Sequence, residues 1–196
     1  LTARGRAGHG SMINRDNAVT RLAAAVARIG AHEWPVRLTP TMQTLLASVA
    51  ELAGTEATPE NAPALMEEFG EAARMLGAVL RHSTNPTMLD AGYKVNVIPT
   101  EATAHVDGRF LPGFEDEFFA TLAELVGEGI DIDYVSNQPP WEMPYDGALV
   151  DAMSRSLLAE DPDALVAPYL MSAGTDAKHF TRLGMRTYGF APLRLP

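Results

Sequence analysis

The spacing of apolar residues changes period several times along the chain, and each change marks an element. Residues 2–12 predict a strand that runs into a glycine-rich turn, "GRAGHGS". A helix follows, with Asp16 as its N-cap. Its apolar stripe is Val19, Leu22, Ala23, Val26 and Ile29, and Gly30 stops it. Thr39-Pro40 opens a second helix, with Met42, Leu45, Leu46, Val49 and Leu52 apolar and Gly54 as the stop. Thr58-Pro59-Glu60 opens a third helical segment carrying Leu65, Met66, Phe69, Ala73, Leu76 and Leu80, interrupted by Gly70 and Gly77.

In the middle of the chain the period falls to two. Residues 93–98 predict a short strand ended by Pro99. Residues 102–111 alternate, with Ala104, Val106 and Phe110 on one face and Thr103, His105, Asp107 and Arg109 on the other, as in a half-buried strand. Pro112-Gly113 turns the chain, Phe118, Leu122, Leu125 and Val126 mark a helix, and Ile130, Ile132 and Tyr134 mark a last strand. With a helical insertion at about 38–91 set aside, this order is a ferredoxin-like split βαβ unit. The proline-rich "SNQPPWEMPYDG", residues 136–147, is a boundary. Beyond it come a helix (Leu149, Val150, Met153, Leu157), an apolar stretch at 165–171, the loop "SAGTDA", a short helix to Leu183 and a strand at 186–190. That alternation predicts part of a parallel α/β sheet. The expected class is therefore α/β with an α+β lid: residues 1–136 form one domain and 137–196 an incomplete second one.

Composition narrows the partners. The chain has 196 residues, 46% of them hydrophobic, enough for one large or two small domains with a true core. Fifteen Lys plus Arg against 25 Asp plus Glu leave a net charge of −10, which argues against nucleic acid and against anionic membranes. No stretch approaches the roughly 20 apolar residues of a membrane span. No cysteine is present, which excludes disulfides and thiol nucleophiles. With no leader in view, a cytoplasmic location is expected. The chain opens on Leu1 rather than Met, as the interior of a longer protein would.

Candidate chemistry gathers at four places, each with an ordinary rival reading. His9 in "GHGS" is either a solvated turn histidine or one aimed at a substrate. In "NVIPTEATAHVDGRFLPG", Asn96 lies beside a proline-broken strand, and Arg109 either grips a carboxylate with its guanidinium fork or pairs with Asp107. In "SAGTDA", Gly174 and Thr175 either form a ligand-facing loop or simply precede a helix cap. His105-Val106-Asp107 has a metal-binding spacing but no third ligand nearby. Nucleophile-elbow, phosphate-loop and dinucleotide motifs are absent from the sequence.

Taken in order, "GHGS", "NVIPTEATAHVDGRFLPG", "GTDA" and "GMRTYGFAP" resemble the zinc amidohydrolase and peptidase family that includes aminoacylase, carboxypeptidase S, carboxypeptidase G and succinyl-diaminopimelate desuccinylase. The stretch "MLDAGYKVNVIPTEATAHVDGRFLPG" is most similar to the carboxypeptidase S branch. The resemblance implies a catalytic α/β domain with two zinc ions and an inserted ferredoxin-like lid that forms a homodimer. Residues 1–136 are similar to the lid, and residues from 137 to the point where the chain re-enters the catalytic domain. His9 then resembles the lid histidine that reaches across the dimer to the substrate carbonyl. Asn96 resembles the asparagine of the same pocket, Arg109 the arginine that holds the substrate carboxylate, and Gly174 and Thr175 a substrate-binding loop.

The family's His-x-Asp zinc motif, bridging Asp, paired Glu and last His ligand have no counterpart in this sequence. The implied function is amide or peptide hydrolysis next to a free carboxylate, on a small peptide or an N-acyl amino acid. This chain would supply dimerisation and substrate contacts, with no metal bound and no activity of its own. The alternative is a stand-alone dimerisation or ligand-binding module.

Overall fold

The computed structural model describes residues 1–70 and 73–190, without the side chains of Met75 and Leu76. In chain order its elements are β1 (Thr2–Arg4), β2 (Gly8–His9), α1 (Ala18–Ala31), α2 (Pro40–Leu52), α3 (Ala62–Glu67), α4 (Ala73–Gly77), β3 (Ser83–Ala91), β4 (Val97–Ile98), β5 (Glu101–Arg109), α5 (Glu115–Val126), β6 (Ile130–Asp131), α6 (Ala148–Glu160) and α7 (Ala177–Arg182). They fall into two units. The first comprises Leu1–Trp34, His82–Phe110 and Phe114–Pro139; the second comprises Pro35–Arg81, Leu111–Gly113 and the chain from Pro140 onward.

The first unit is α+β. Its four strands stand in the order β3-β5-β1-β6, and every neighbouring pair is antiparallel. Leaving out the two-residue strands β2 and β4, the chain order strand-helix-strand-strand-helix-strand with this sheet order is the ferredoxin-like arrangement predicted from the sequence. Alanines on the sheet (Ala3, Ala102, Ala104) meet Ala18 and Leu22 of α1, so the helix can lie close to the strands. A second cluster joins Ile29 and Trp34 to Phe118, Leu122 and Val126 of α5. The alternation predicted for β5 holds: Ala102 and Ala104 are buried, whereas His105, Asp107 and Arg109 are exposed.

Helix α1 starts one residue later than predicted. Asn17, not Asp16, is the cap, and its side-chain oxygen accepts the N–H groups of Val19 (2.9 Å) and Thr20 (3.4 Å). Asp16 is turned to Arg21 instead (2.6 Å). The buried stripe is Ala18, Leu22, Ala25 and Ile29, and the helix runs through Gly30 to Ala31.

The largest correction concerns the insertion. Residues 83–91 were expected at its end, but the inserted unit closes at Arg81 and Ser83–Ala91 is β3, paired along β5 from Ser83↔Arg109 to Ala91↔Ala102. An edge strand with one side open to water has no need of apolar alternation, and Pro86 sits at the register shift where its missing N–H does no harm. Two other strands are shorter than expected. Of residues 93–98 only Val97–Ile98 forms a strand, and β6 ends at Asp131.

The second unit is helical among the described residues. Thr39 caps α2 with Pro40 at its first position, as predicted, and Thr39 Oγ1 accepts the Met42 N–H at 3.4 Å. Glu142 accepts the Thr41 N–H of the same helix end at 2.6 Å. The third helical segment is divided into α3 and α4, with Gly70 at φ +55° between them. Met42, Leu45, Leu46 and Val49 pack on Leu65, Met66, Val79 and Leu80. The strands expected at 165–171 and 186–190 do not form among the described residues, so the partial parallel sheet is absent there. A strand exists only through a neighbour's ladder, and the apolar run finds another use: Ala167, Tyr169 and Leu170 pack on the helical core. Arg186 and Tyr188 instead donate side-chain hydrogen bonds to the Pro144 carbonyl. Two of the expected features lie outside the described residues: the Leu76 side chain and the Ala191-Pro192 end of "GMRTYGFAP".

Gly5 has a steric duty. A Cβ there would come within 2.5 Å of the Asp16 carbonyl oxygen and 2.7 Å of the Ala18 nitrogen, where the chain crosses the start of α1. Gly30 has nothing within 4 Å of such an atom. We therefore expect Gly5→Ala to destabilise the protein by about 1–3 kcal/mol, and Gly30→Ala to stabilise it by about 0.5–1 kcal/mol. Urea unfolding of the two variants checks both signs.

Candidate functional site

His9 and Asn96 are 87 residues apart in sequence and meet on a two-stranded ribbon. Gly8 pairs with Ile98 and His9 with Val97. The Gly10 N–H continues the ladder to the Asn96 carbonyl at 2.9 Å. Each strand adjoins a tight turn: after β2 the Met12 N–H donates to His9 O (2.9 Å), and before β4 the Val97 N–H donates to Lys94 O (3.1 Å). A Cβ on Gly10 would stand 3.5 Å from the Asn96 carbonyl oxygen, so the two turns are in backbone contact.

Within the ribbon His9 is oriented at both nitrogens. Nδ1 lies 2.8 Å from Ser11 Oγ and accepts the Ser11 N–H at 3.3 Å. A neutral ring that accepts at Nδ1 carries its proton on Nε2. Nε2 stands 3.3 Å from Asn96 Nδ2. In that tautomer both atoms are donors and suit one shared acceptor, such as a carbonyl oxygen that gains negative charge. In the other tautomer Nδ1–H donates to Ser11 Oγ and Nε2 accepts from Asn96 Nδ2, so the ribbon holds the pair together with no acceptor between them. Ser11 is the residue the sequence argument passed over; its place two positions after His9 in "GHGS" was the available signal.

Arg109 lies at the far end of β5. Glu101, beside the ribbon, and Arg109 are eight residues apart, or about 27 Å of strand. The guanidinium donates to Asp107 through Nε (2.6 Å) and Nη2 (2.8 Å). The pair is exposed, and the hydrogen bonds from Arg109 hold the Asp107 carboxyl below its ordinary range while raising the arginine. Gly174 and Thr175 are exposed in the second unit. Thr175 Oγ1 accepts the Ala177 N–H at 3.3 Å at the start of α7, the ordinary capping contact. His105 and Asp107 share the exposed face of β5, yet Asp107 is committed to Arg109. No group of three or more His, Asp or Glu among the described residues is placed to hold a metal ion. No helix among them is long and apolar enough to cross a membrane.

This fold, with a histidine and an asparagine paired on a ribbon beside its sheet, defines a ferredoxin-like domain. Residues 1–129 match the family model described as "Peptidase dimerisation domain", and the chain belongs to that family, the dimerisation domain of M20 peptidases. Similar proteins include a probable carboxypeptidase S-like 2 of Dictyostelium discoideum, 31% identical over 61% of this chain and 24% of its own length. Another is the N-fatty-acyl-amino acid synthase/hydrolase PM20D1.1 of Danio rerio, 25% identical over 94% of this chain and 38% of its own. Human aminoacylase-1 is 27% identical over 57% of this chain and 28% of its own. The chain thus spans roughly a quarter to two fifths of the length of these relatives.

Asp107 yields a pH prediction. Its folded pKa lies below the unfolded one, so its contribution to stability is fully present above the ordinary aspartate value and is lost as pH falls through the folded value. The stability difference between wild type and Asp107→Asn is therefore expected to be small but measurable at neutral pH and to shrink once the pH drops below about 4. Urea titrations at a series of pH values read this directly.

Proposed function

We propose that this chain is the dimerising, substrate-holding part of a metal-dependent hydrolase that cleaves an amide or peptide bond next to a free carboxylate. Small peptides and N-acyl amino acids are the substrate class. The observation that carries the reading is the approach of His9 Nε2 and Asn96 Nδ2 to 3.3 Å. With the ring proton on Nε2, a substrate carbonyl oxygen seated between them gains two N–H partners, and their hold strengthens as the oxygen becomes an oxyanion. Relatives that run through nearly the whole chain, rather than its first 129 residues alone, favour this over a stand-alone module.

Arg109 would grip the carboxylate, and Gly174 with Thr175 would line the substrate loop. The zinc ions implied by the resemblance find no ligand set among the described residues of this chain. About 27 Å of strand is too long for one small substrate to bridge. Each active site therefore takes His9 and Asn96 from one subunit and Arg109 from the other.

In the full-length enzyme, His9→Ala is expected to lower kcat by about 10² to 10³. Arg109→Lys should mainly raise KM, because lysine lacks the planar fork. A hybrid dimer of one His9→Ala subunit and one Arg109→Lys subunit, assayed at substrate well below KM where an Arg109→Lys site is also nearly silent, separates the geometries. With shared sites, one active site has both residues intact and about half the wild-type activity survives. Near-complete loss of activity would place both residues of a subunit in one site.

The dimer contact is proposed to run along β3. This strand is an edge of the sheet, its outer backbone groups are open, and Met88 and Leu89 are exposed on it. A second β3 laid antiparallel would extend the sheet across the pair. Light scattering should give a dimer for wild type and a monomer for the double substitution Met88→Lys, Leu89→Lys. A monomeric wild type at high concentration would remove the proposal.

A further inference from the structure

A guanidinium has two edges of carboxylate width, one formed by Nε and Nη2 and the other by Nη1 and Nη2. Asp107 takes the first, with bonds of 2.6 and 2.8 Å, and leaves the second outside the pair. The residue between them is Gly108. A Cβ at that position would come within 2.8 Å of Phe118 Cζ, so the strand is seated directly on that ring. Phe118 is itself buried, and its ring centroid lies 5.1 Å from those of both Trp34 and Phe110. Asp107 and Arg109 therefore stand on a stretch of backbone that the core holds in place. Across the sheet, their register partners on β3 are the neutral residues Asn85 and Ser83.

We propose that Asp107 is a positioning residue for the carboxylate clamp: it fixes the Arg109 guanidinium by its side edge, so that the terminal edge is presented, already oriented, to the substrate carboxylate. The proposal rests on the reading that Arg109 holds that carboxylate. An exposed ion pair of this kind adds little to stability. Its effect is on order: a long side chain loses rotamer freedom before the substrate arrives, and binding no longer bears that cost. The charge of Asp107 also offsets that of Arg109. The clamp then selects a flat, two-oxygen anion by geometry more than any anion by charge.

The test compares competitive inhibition of the full-length hydrolase by acetate and by chloride. Both are monovalent, so the change in local charge on Asp107→Asn acts on both alike and cancels in their ratio. Asparagine keeps one acceptor and breaks the fork. We expect Asp107→Asn to lower the preference for acetate over chloride by about three- to tenfold, and Asp107→Glu, which retains both oxygens, to restore part of it. An unchanged ratio in Asp107→Asn, together with loss of the preference in Arg109→Lys, overturns the proposal and leaves Arg109 as the clamp. An Arg109→Lys enzyme with wild-type KM and wild-type preference overturns the clamp itself, and the proposal with it. Thermal melts confirm that each variant is folded, so a general loss of structure is told apart from a change in selectivity.

Discussion

The candidate site depends on how β5 is held. This strand is hydrogen-bonded by β3 on one side and by β1 on the other, and its small side chains face α1. At its first end, the Gly5 N–H donates to the Thr100 carbonyl at 2.8 Å and links β1 to the turn before β5. The His9–Asn96 ribbon grows from that end. At the other end, Gly108 rests on Phe118 and the arginine follows. A strand fixed on both edges and on one face cannot shift its register without turning its buried alanines to water. The positions of both candidate groups are thus set by the same ladder.

Much of this was legible because burial leaves a period in the sequence. Ala102, Ala104 and Val106 alternate with Thr103, His105 and Asp107 because only one face of β5 meets a helix. The start of α2 was legible because Thr39 and Pro40 satisfy the first turn by local chemistry alone. β3 escaped notice for the opposite reason: seven of its nine residues are exposed, so water imposed no alternation on them. The apolar run at 165–171 misled because burial against helices and burial in a sheet ask for the same residues. Asn17 displaced Asp16 as cap because either side chain can accept the free N–H groups, and Arg21 draws Asp16 away.

The site was less open to sequence reasoning than the fold. Nothing in the spacing of His9 and Asn96 says that two turns 87 residues apart will share a backbone hydrogen bond. Their common assignment came from resemblance, and the structure adds the contact. For Arg109 the two readings set against each other, a clamp and a surface pair with Asp107, turn out to be compatible. The observed pair uses one edge of the guanidinium, and a clamp needs only the other.

The glycines of "GRAGHGS" have separate physical roles. Gly5 clears the start of α1, where any side chain would meet backbone at less than 3 Å. Gly10 has room for a methyl group at ordinary contact distance from Asn96, so its role is the close approach of two turns. The first keeps the strand against its helix, and the second brings His9 toward an asparagine on the other turn. A larger residue at Gly10 would push the turns apart and widen the 3.3 Å gap between the two side-chain nitrogens. One short run of small residues thus links the packing of α1 to the spacing of the His9–Asn96 pair, and β5 runs from beside that pair to the arginine at its far end.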